Sequence, residues 1–379
     1  MIISPPRAMI GALTTTIAVS VPVFLVGGLA VQIGFSPAGL GLVVSAYFGA
    51  SALASIPAGA LVERYGPGPV SRIGVALSAA SLLAVAAFAG PLWSFVVILA
   101  VGAGANAMGQ LASNTSLSRH VPTRRQALSF GVKQAAIPIS TLLSGAAVPL
   151  IALTVGWRWA FALAAALALA ALLLIPRDAA MPADKTSQPA KRATGALIVV
   201  GLGATLAAGS ANALSTFLVD ASVARGISPG PAGLALTLGG AVCVAARILG
   251  GWLADRRPDN QIGVIAVVLI GGAAGLALVA VPGPLPLITG VILGFGLGWC
   301  WPGLMNFAVV RLHPQAPAAA TSITQTGVYA GGCLGPLGLG TVAATTSYPV
   351  MWSVAAVAML LAAALMLLGS HRLRHHALT

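Results

Sequence analysis

The chain has 379 residues, 58% of them apolar and 7% charged, with 46 glycines and a net charge of +13. Soluble domains carry roughly 25% charged residues, so this sequence cannot clothe a water-facing surface, and its solvent is lipid. No segment remains to house soluble chemistry, and the continuous Ala-, Leu- and Gly-rich runs exclude the alternating pattern of a membrane β-barrel.

In chain order, the apolar runs reach the roughly 20 residues that cross a bilayer as helix. They predict twelve spans starting near residues 9, 38, 71, 92, 127, 157, 194, 230, 262, 284, 318 and 348. The first follows Pro5, Pro6 and Arg7 and is too long for the apolar core of a cleavable leader. Its hydroxyls, Thr14 to Thr16 and Ser20, can bond back to their own helix. The second carries Tyr47 and ends in Gly59, Glu63 and Arg64, spaced Gly-x-x-x-acid-Arg. In the fourth, Asn106, Gln110 and Asn114 recur every four residues and stack on one helical face. Carboxamides facing lipid are costly, so the stripe faces a neighbouring helix or a cavity. Asn114, near the helix end, reads as structural.

The fifth span holds Lys133, and the sixth opens at Gly156-Trp157-Arg158 and ends near Pro176. Residues 177–193 form the one long hydrophilic stretch, expected to be a linker between halves 1–176 and 194–379. The seventh span carries Asn212 and, near its far end, Asp220. Arg247 lies inside the eighth, which ends in Gly251, Asp255 and Arg256 with the spacing of the second. Trp299 and Trp301 flank Gly298 and Pro302 in the tenth, where a helix break would let them close a pocket or pack toward lipid. Gln325 and Tyr329 share a face of the eleventh. The tail around His371 reads as solvated and basic. Cys243, Cys300 and Cys333 lack metal or redox spacing and read as small buried side chains. Neither a metal nor a cofactor is expected.

The two Gly-x-x-x-acid-Arg loops lie 192 residues apart (59 and 251), close to half the chain. The same offset relates Asn114 to Asn306, Arg119 to Arg311, Pro122 to Pro314, Ser36-Pro37 to Ser228-Pro229 and Ser20 to Asn212; Gln134 relates to Gln325 with a one-residue slip. Two copies of one unit is a common transporter plan.

Those paired loops, Gly156-Trp157-Arg158-Trp159-Ala160-Phe161 and the half-length repeat resemble the major facilitator superfamily. The first loop departs from its pattern, with Glu63 for the usual Asp and Pro67-Gly68-Pro69 where basic residues usually follow. The resemblance implies an all-α membrane protein with twelve helices in two six-helix bundles, a bacterial inner-membrane location, a monomer, and a gate at Gly59, Glu63, Arg64, Gly251, Asp255 and Arg256. It also implies that the first, fourth, seventh and tenth spans line the pathway.

The cations sort by side: fifteen of the 19 Lys and Arg fall in loops or ends on one face, two on the other, and Lys133 and Arg247 inside spans. Positive charge marks the cytoplasmic side, so both termini are expected there, with lipid rather than nucleic acid as the partner of the loop cations. An intramembrane cation costs roughly 2.5–3.5 kcal/mol on insertion scales and needs a reason. Lys133 and Arg247 both sit roughly 12–13 Å above the same helix ends, and all six acids lie in loops or near helix ends, where they cannot neutralise them. They predict a site for a small carboxylate or inorganic anion; the alternative is that they snorkel or bond backbone carbonyls. Asn106, Gln110, Asn212, Tyr47, Gln325 and Tyr329 are expected to complete the site, with Asp220 as the candidate for a coupling proton. The functional expectation is an anion transporter, by symport, antiport or facilitation. The alternatives are a hydrophobic-drug antiporter and a transport-inactive sensor. An enzyme is not expected, because HExxH, GxSxG and acidic metal clusters are absent from the sequence.

Overall fold

The computed structural model describes residues 3–176, 194–256, 260–312 and 317–378. Among these residues there are helices and turns and no strand. The predicted linker at 177–193 lies outside the described residues. The helices are α1 Pro5–Gly28, α2 Pro37–Tyr65, α3 Pro67–Phe88, α4 Leu92–His120, α5 Gln126–Ala152, α6 Trp157–Ala171, α7 Thr194–Ala224, α8 Pro229–Arg256 and α9 Gln261–Ala280. They continue as α10, in two pieces Pro284–Gly296 and Pro302–Leu312, then α11 Pro317–Thr345 and α12 Tyr348–Leu378. Twelve spans in two bundles of six is the expected fold class.

Local chemistry sets the boundaries. Proline opens α1, α2, α3 and the first piece of α10, where its missing N–H is one the helix would leave unpaired anyway. Before α2, the Ser36 side chain accepts from Gly39 N at 3.2 Å and caps the first turn. Gly66, between α2 and α3, sits at φ 85, which only glycine adopts freely.

The halves meet along α5 with α8, α2 with α11 and α1 with α7, and the second piece of α10 also lies against the start of α5. Glycine permits the approach. A Cβ on Gly145 would stand 2.5 Å from Gly233 O, and one on Gly251 would stand 2.9 Å from Ala127 O. The α5–α8 seam is thus backbone against backbone at both ends. The other two pairs close at the end remote from the Gly-x-x-x-acid-Arg loops. There a Cβ on Gly340 would meet Pro37 O at 2.7 Å, and one on Gly27 would meet Ser215 O at 2.6 Å. At the loop end, Gly59 of α2 has nothing within 4 Å.

Three helices break near the middle of the molecule. α4 steps at Ala103, α5 at Ala135, and α10 loses helical form between Gly296 and Pro302. Irregular backbone survives at membrane depth only where protein or a cavity satisfies it, and these breaks frame the site described below.

Gly340→Val should wedge α2 from α11. Labelling of half-buried Cys333 by a water-soluble maleimide should then speed up, against silent, buried Cys243 and Cys300. An unchanged rate would show that the seam does not depend on that contact.

Candidate functional site

A cavity of about 60 Å³ lies between the halves. Of the eight substrate-site residues predicted from sequence, seven border it: Tyr47, Asn106, Gln110, Asn212, Arg247, Gln325 and Tyr329. Ser20, the repeat counterpart of Asn212, borders it as well. Phe24, Phe48, Trp299 and Trp301 supply aromatic wall, and Phe24 packs edge-on against Trp299 with centroids 5.8 Å apart. The wall helices include α2, α5, α8 and α11 beside α1, α4, α7 and α10.

Many of the polar side chains are already held by the protein. Tyr47 donates its hydroxyl to Val19 O at 2.5 Å, Asn106 Nδ2 donates to Ser51 Oγ at 3.2 Å, and Asn212 Nδ2 donates to Ala208 O at 2.8 Å. They present fixed edges to the cavity rather than free arms.

Lys133 is the eighth predicted residue, and it stands behind the cavity wall. It is 1% exposed and does not border the cavity. Its ammonium donates to Gln110 Oε1 and, at 3.0 Å, to Asn114 Oδ1. The amide stripe of α4 is therefore the partner of the α5 cation. Carboxamide oxygens four residues apart replace the water that burial removes. Asn114, expected to be structural at a helix end, is one of the two acceptors. Lys133 is therefore not the unpaired cation that the sequence suggested. Acids were sought as partners, and the partners are neutral amides.

Arg247 does border the cavity, and it is also engaged. It is 2% exposed; Nε and Nη2 donate to Trp299 O at 3.0 and 2.8 Å, and Nη1 donates to Gln134 O. Both carbonyls are available for a stated reason. Gln134 O would ordinarily accept from the residue four positions on, but that residue is Pro138, which has no N–H. Trp299 O sits in the break of α10, ahead of the helix that restarts at Pro302. The guanidinium also lies over the Trp299 ring, 5.3 Å from its centroid. Arg247 thus joins a broken helix of each half. The same device recurs on a smaller scale: Pro22 frees Ala18 O, which accepts from Ser78 Oγ at 2.7 Å.

At the loop end, Asp255 Oδ2 accepts from Leu128 N at 3.1 Å. α5 has no side-chain cap of its own, so a carboxylate from the other half caps its first turn, where the helix dipole favours an anion. Gly251 lets α8 come close enough for this, and Arg256 stacks on Trp252 at 3.6 Å. The first loop differs: Glu63 is exposed with no partner among the described residues, and Arg64 lies against its own neighbour Tyr65.

With this geometry in place, comparison with known proteins gives a family. The sequence matches the Major Facilitator Superfamily profile over residues 8–336 and again over residues 200–377. The chain belongs to the major facilitator superfamily. A protein named "Chloramphenicol resistance protein" from Streptomyces lividans is 27% identical over 332 residues, covering 85% of this chain and 83% of that protein. As a member of the superfamily the chain is a multi-pass membrane transporter with a small-molecule substrate.

Asp220, expected as a coupling residue, does not border the transporter's cavity. It is half-buried near the end of α7, where Tyr348 of α12 donates its hydroxyl to Asp220 Oδ2. Trp299 and Trp301, read as closing a pocket or packing toward lipid, border it, and so does Gln134, which was absent from the expected site. Pro138, four residues after Gln134, was the sequence signal for the latter.

The Lys133 arrangement orders two substitutions. Asn114→Leu leaves a buried ammonium short of an acceptor and should destabilise the protein by about 1.5–3 kcal/mol. Lys133→Met removes the charge with its desolvation cost and leaves only two half-buried carboxamide oxygens without their donor, so it should cost less than Asn114→Leu. Thermal melts in detergent check the order, and a larger loss for Lys133→Met would contradict it.

Proposed function

We propose that this transporter exports uncharged, largely apolar compounds across the bacterial inner membrane by alternating access between halves 1–176 and 194–379. The observation that carries the reading is that both intramembrane cations already have acceptors. Arg247 bonds two carbonyls and Lys133 two carboxamides, so neither depends on an anion for satisfaction. The remaining wall is aromatic, aliphatic and amide, which suits a ligand held by burial and a few oriented hydrogen bonds. The likeness to a chloramphenicol resistance protein points the same way. The basic end, by its charge, faces the cytoplasm, and the Asp255–Leu128 bond acts there as a latch on the α5–α8 seam. The cavity of about 60 Å³ is a constricted stage of the cycle, and a drug-sized ligand requires the halves to part.

One observation favours a second reading, transport of a small anion: Arg247 borders the cavity and, among the described residues, no carboxylate does. Transport separates the two. Expression in an efflux-deficient bacterium should raise the inhibitory concentration of chloramphenicol several-fold, and Lys133→Met should keep most of that gain. Proteoliposomes that instead accumulate a small carboxylate, with uptake abolished by both Lys133→Met and Arg247→Met, would establish the anion reading.

A further inference from the structure

On the outside of the second half, α9 and α12 enclose an open groove of about 790 Å³. Ala277 and Ala280 of α9 and Ser353, Val357 and Leu361 of α12 line it. α9 starts beside the Asp255 loop and ends at Ala280, so the groove mouth at Val281 and Pro349 lies at the end remote from the basic loops. From Pro349 to Leu361 the helix rises roughly 18 Å. The hydrocarbon of one leaflet is roughly 15 Å deep, so the groove runs the depth of a lipid tail.

The internal repeat shows what is particular to this half. The offset of 192 residues pairs Ala280 with Phe88, Pro349 with Trp157 and Ser353 with Phe161. Three aromatic rings of the α3–α6 corner are thus replaced, at groove-lining positions, by a methyl, a pyrrolidine and a hydroxymethyl. The arginines differ too. Arg158 donates to Ala86 O and Ala89 O at 2.8 and 2.6 Å, at the end of α3, and lies over Trp157. The counterpart of Arg158 is Val350 and that of Ala89 is Val281. The Val281 carbonyl accepts instead from Nη1 of Arg225, just past α7, through a long bond of 3.5 Å at the surface. Arg225 is half-buried and pairs with no carboxylate among the described residues. Asp220, five residues before it, accepts from Tyr348. An apolar groove therefore has a cation without a counter-ion bonded to a residue at its mouth.

We propose that the α9–α12 groove binds one phospholipid, with an acyl chain along Ala277, Ser353 and Leu361 and the headgroup phosphate at Arg225. A basic side chain at the membrane surface attracts an anionic headgroup, and a phosphate oxygen accepts charge-assisted bonds from a guanidinium. Free phosphate would leave the groove unfilled, and an uncharged lipid would leave the arginine unmatched. Because Arg225 follows α7, the lipid braces α7 against α9 and α12 within the second half. The site is independent of what the central cavity transports.

Native mass spectrometry of the full-length protein in detergent tests the site by titration with phosphatidylglycerol or with diacylglycerol of the same chains. Phosphatidylglycerol should fill one site roughly fivefold more tightly than diacylglycerol, about the contribution of one basic side chain at a lipid surface. Arg225→Gln should erase that difference. Ala277→Phe and Ser353→Phe, at two exposed groove positions, should each return phosphatidylglycerol to non-specific binding. Both should keep the wild-type melting temperature without added lipid; should either fail to fold, Arg225→Gln decides alone. Equal affinity for the two lipids in the wild type, or tight binding that survives the substitutions, would overturn the inference. So would a wild-type dimer that Ser353→Phe converts to monomer, since a second copy would then occupy the groove. Each of these results leaves export of apolar compounds untouched.

Discussion

The guanidinium of Arg247 is the contact on which the centre of this transporter depends. It is buried at membrane depth, joins α8 to the interrupted α10, and crosses to the interrupted α5 of the other half. Each interruption leaves a carbonyl that lipid cannot satisfy. One cation with several fixed donors answers both. Removing it would orphan two backbone acceptors at once, so the helix breaks and the arginine form a single structural unit. The cavity exists because of those breaks: they turn Gln134 and the Trp299–Trp301 segment inward, where an unbroken helix would keep its backbone bonded to itself.

The same logic covers Lys133 and Asp255. Each is a polar group of one helix that completes a neighbour: Lys133 takes the α4 amides, and Asp255 caps the α5 N-terminus. α5 thus receives a bond from α8 near its start, through Asp255, and another near its break, through Arg247, along a seam tightened by Gly145 and Gly251. The α2–α11 pair lacks such ties at the loop end, where Gly59 meets open space and Glu63 stands free of partners among the described residues. The asymmetry between the two Gly-x-x-x-acid-Arg loops in sequence therefore has a counterpart in the structure.

The twelve spans and the fold were legible in the sequence because lipid imposes length and composition on every helix. The positions that face the cavity were legible too, since an Asn, Gln or Tyr in an apolar run must turn away from lipid. What the sequence hid was pairing. Lys133 and Gln110 lie 23 residues apart on different helices, and an ammonium held by carboxamides leaves no charge pattern to read. Arg247 took backbone carbonyls, and only the positions of Pro138 and Pro302 hinted which ones were free. Those partners explain why neither cation stands alone in the structure.

The most direct test is a double-mutant cycle between Arg247 and Pro138. Pro138→Ala restores an N–H that can satisfy Gln134 O from within α5, so the arginine becomes partly redundant. Melting in detergent should show that Arg247→Met costs less in the Pro138→Ala background than in the wild type, with a coupling of about 1 kcal/mol, the range of residues sharing a hydrogen-bond network. Strictly additive losses would mean that the proline break and the arginine are independent, contradicting the account of how this cavity is held open.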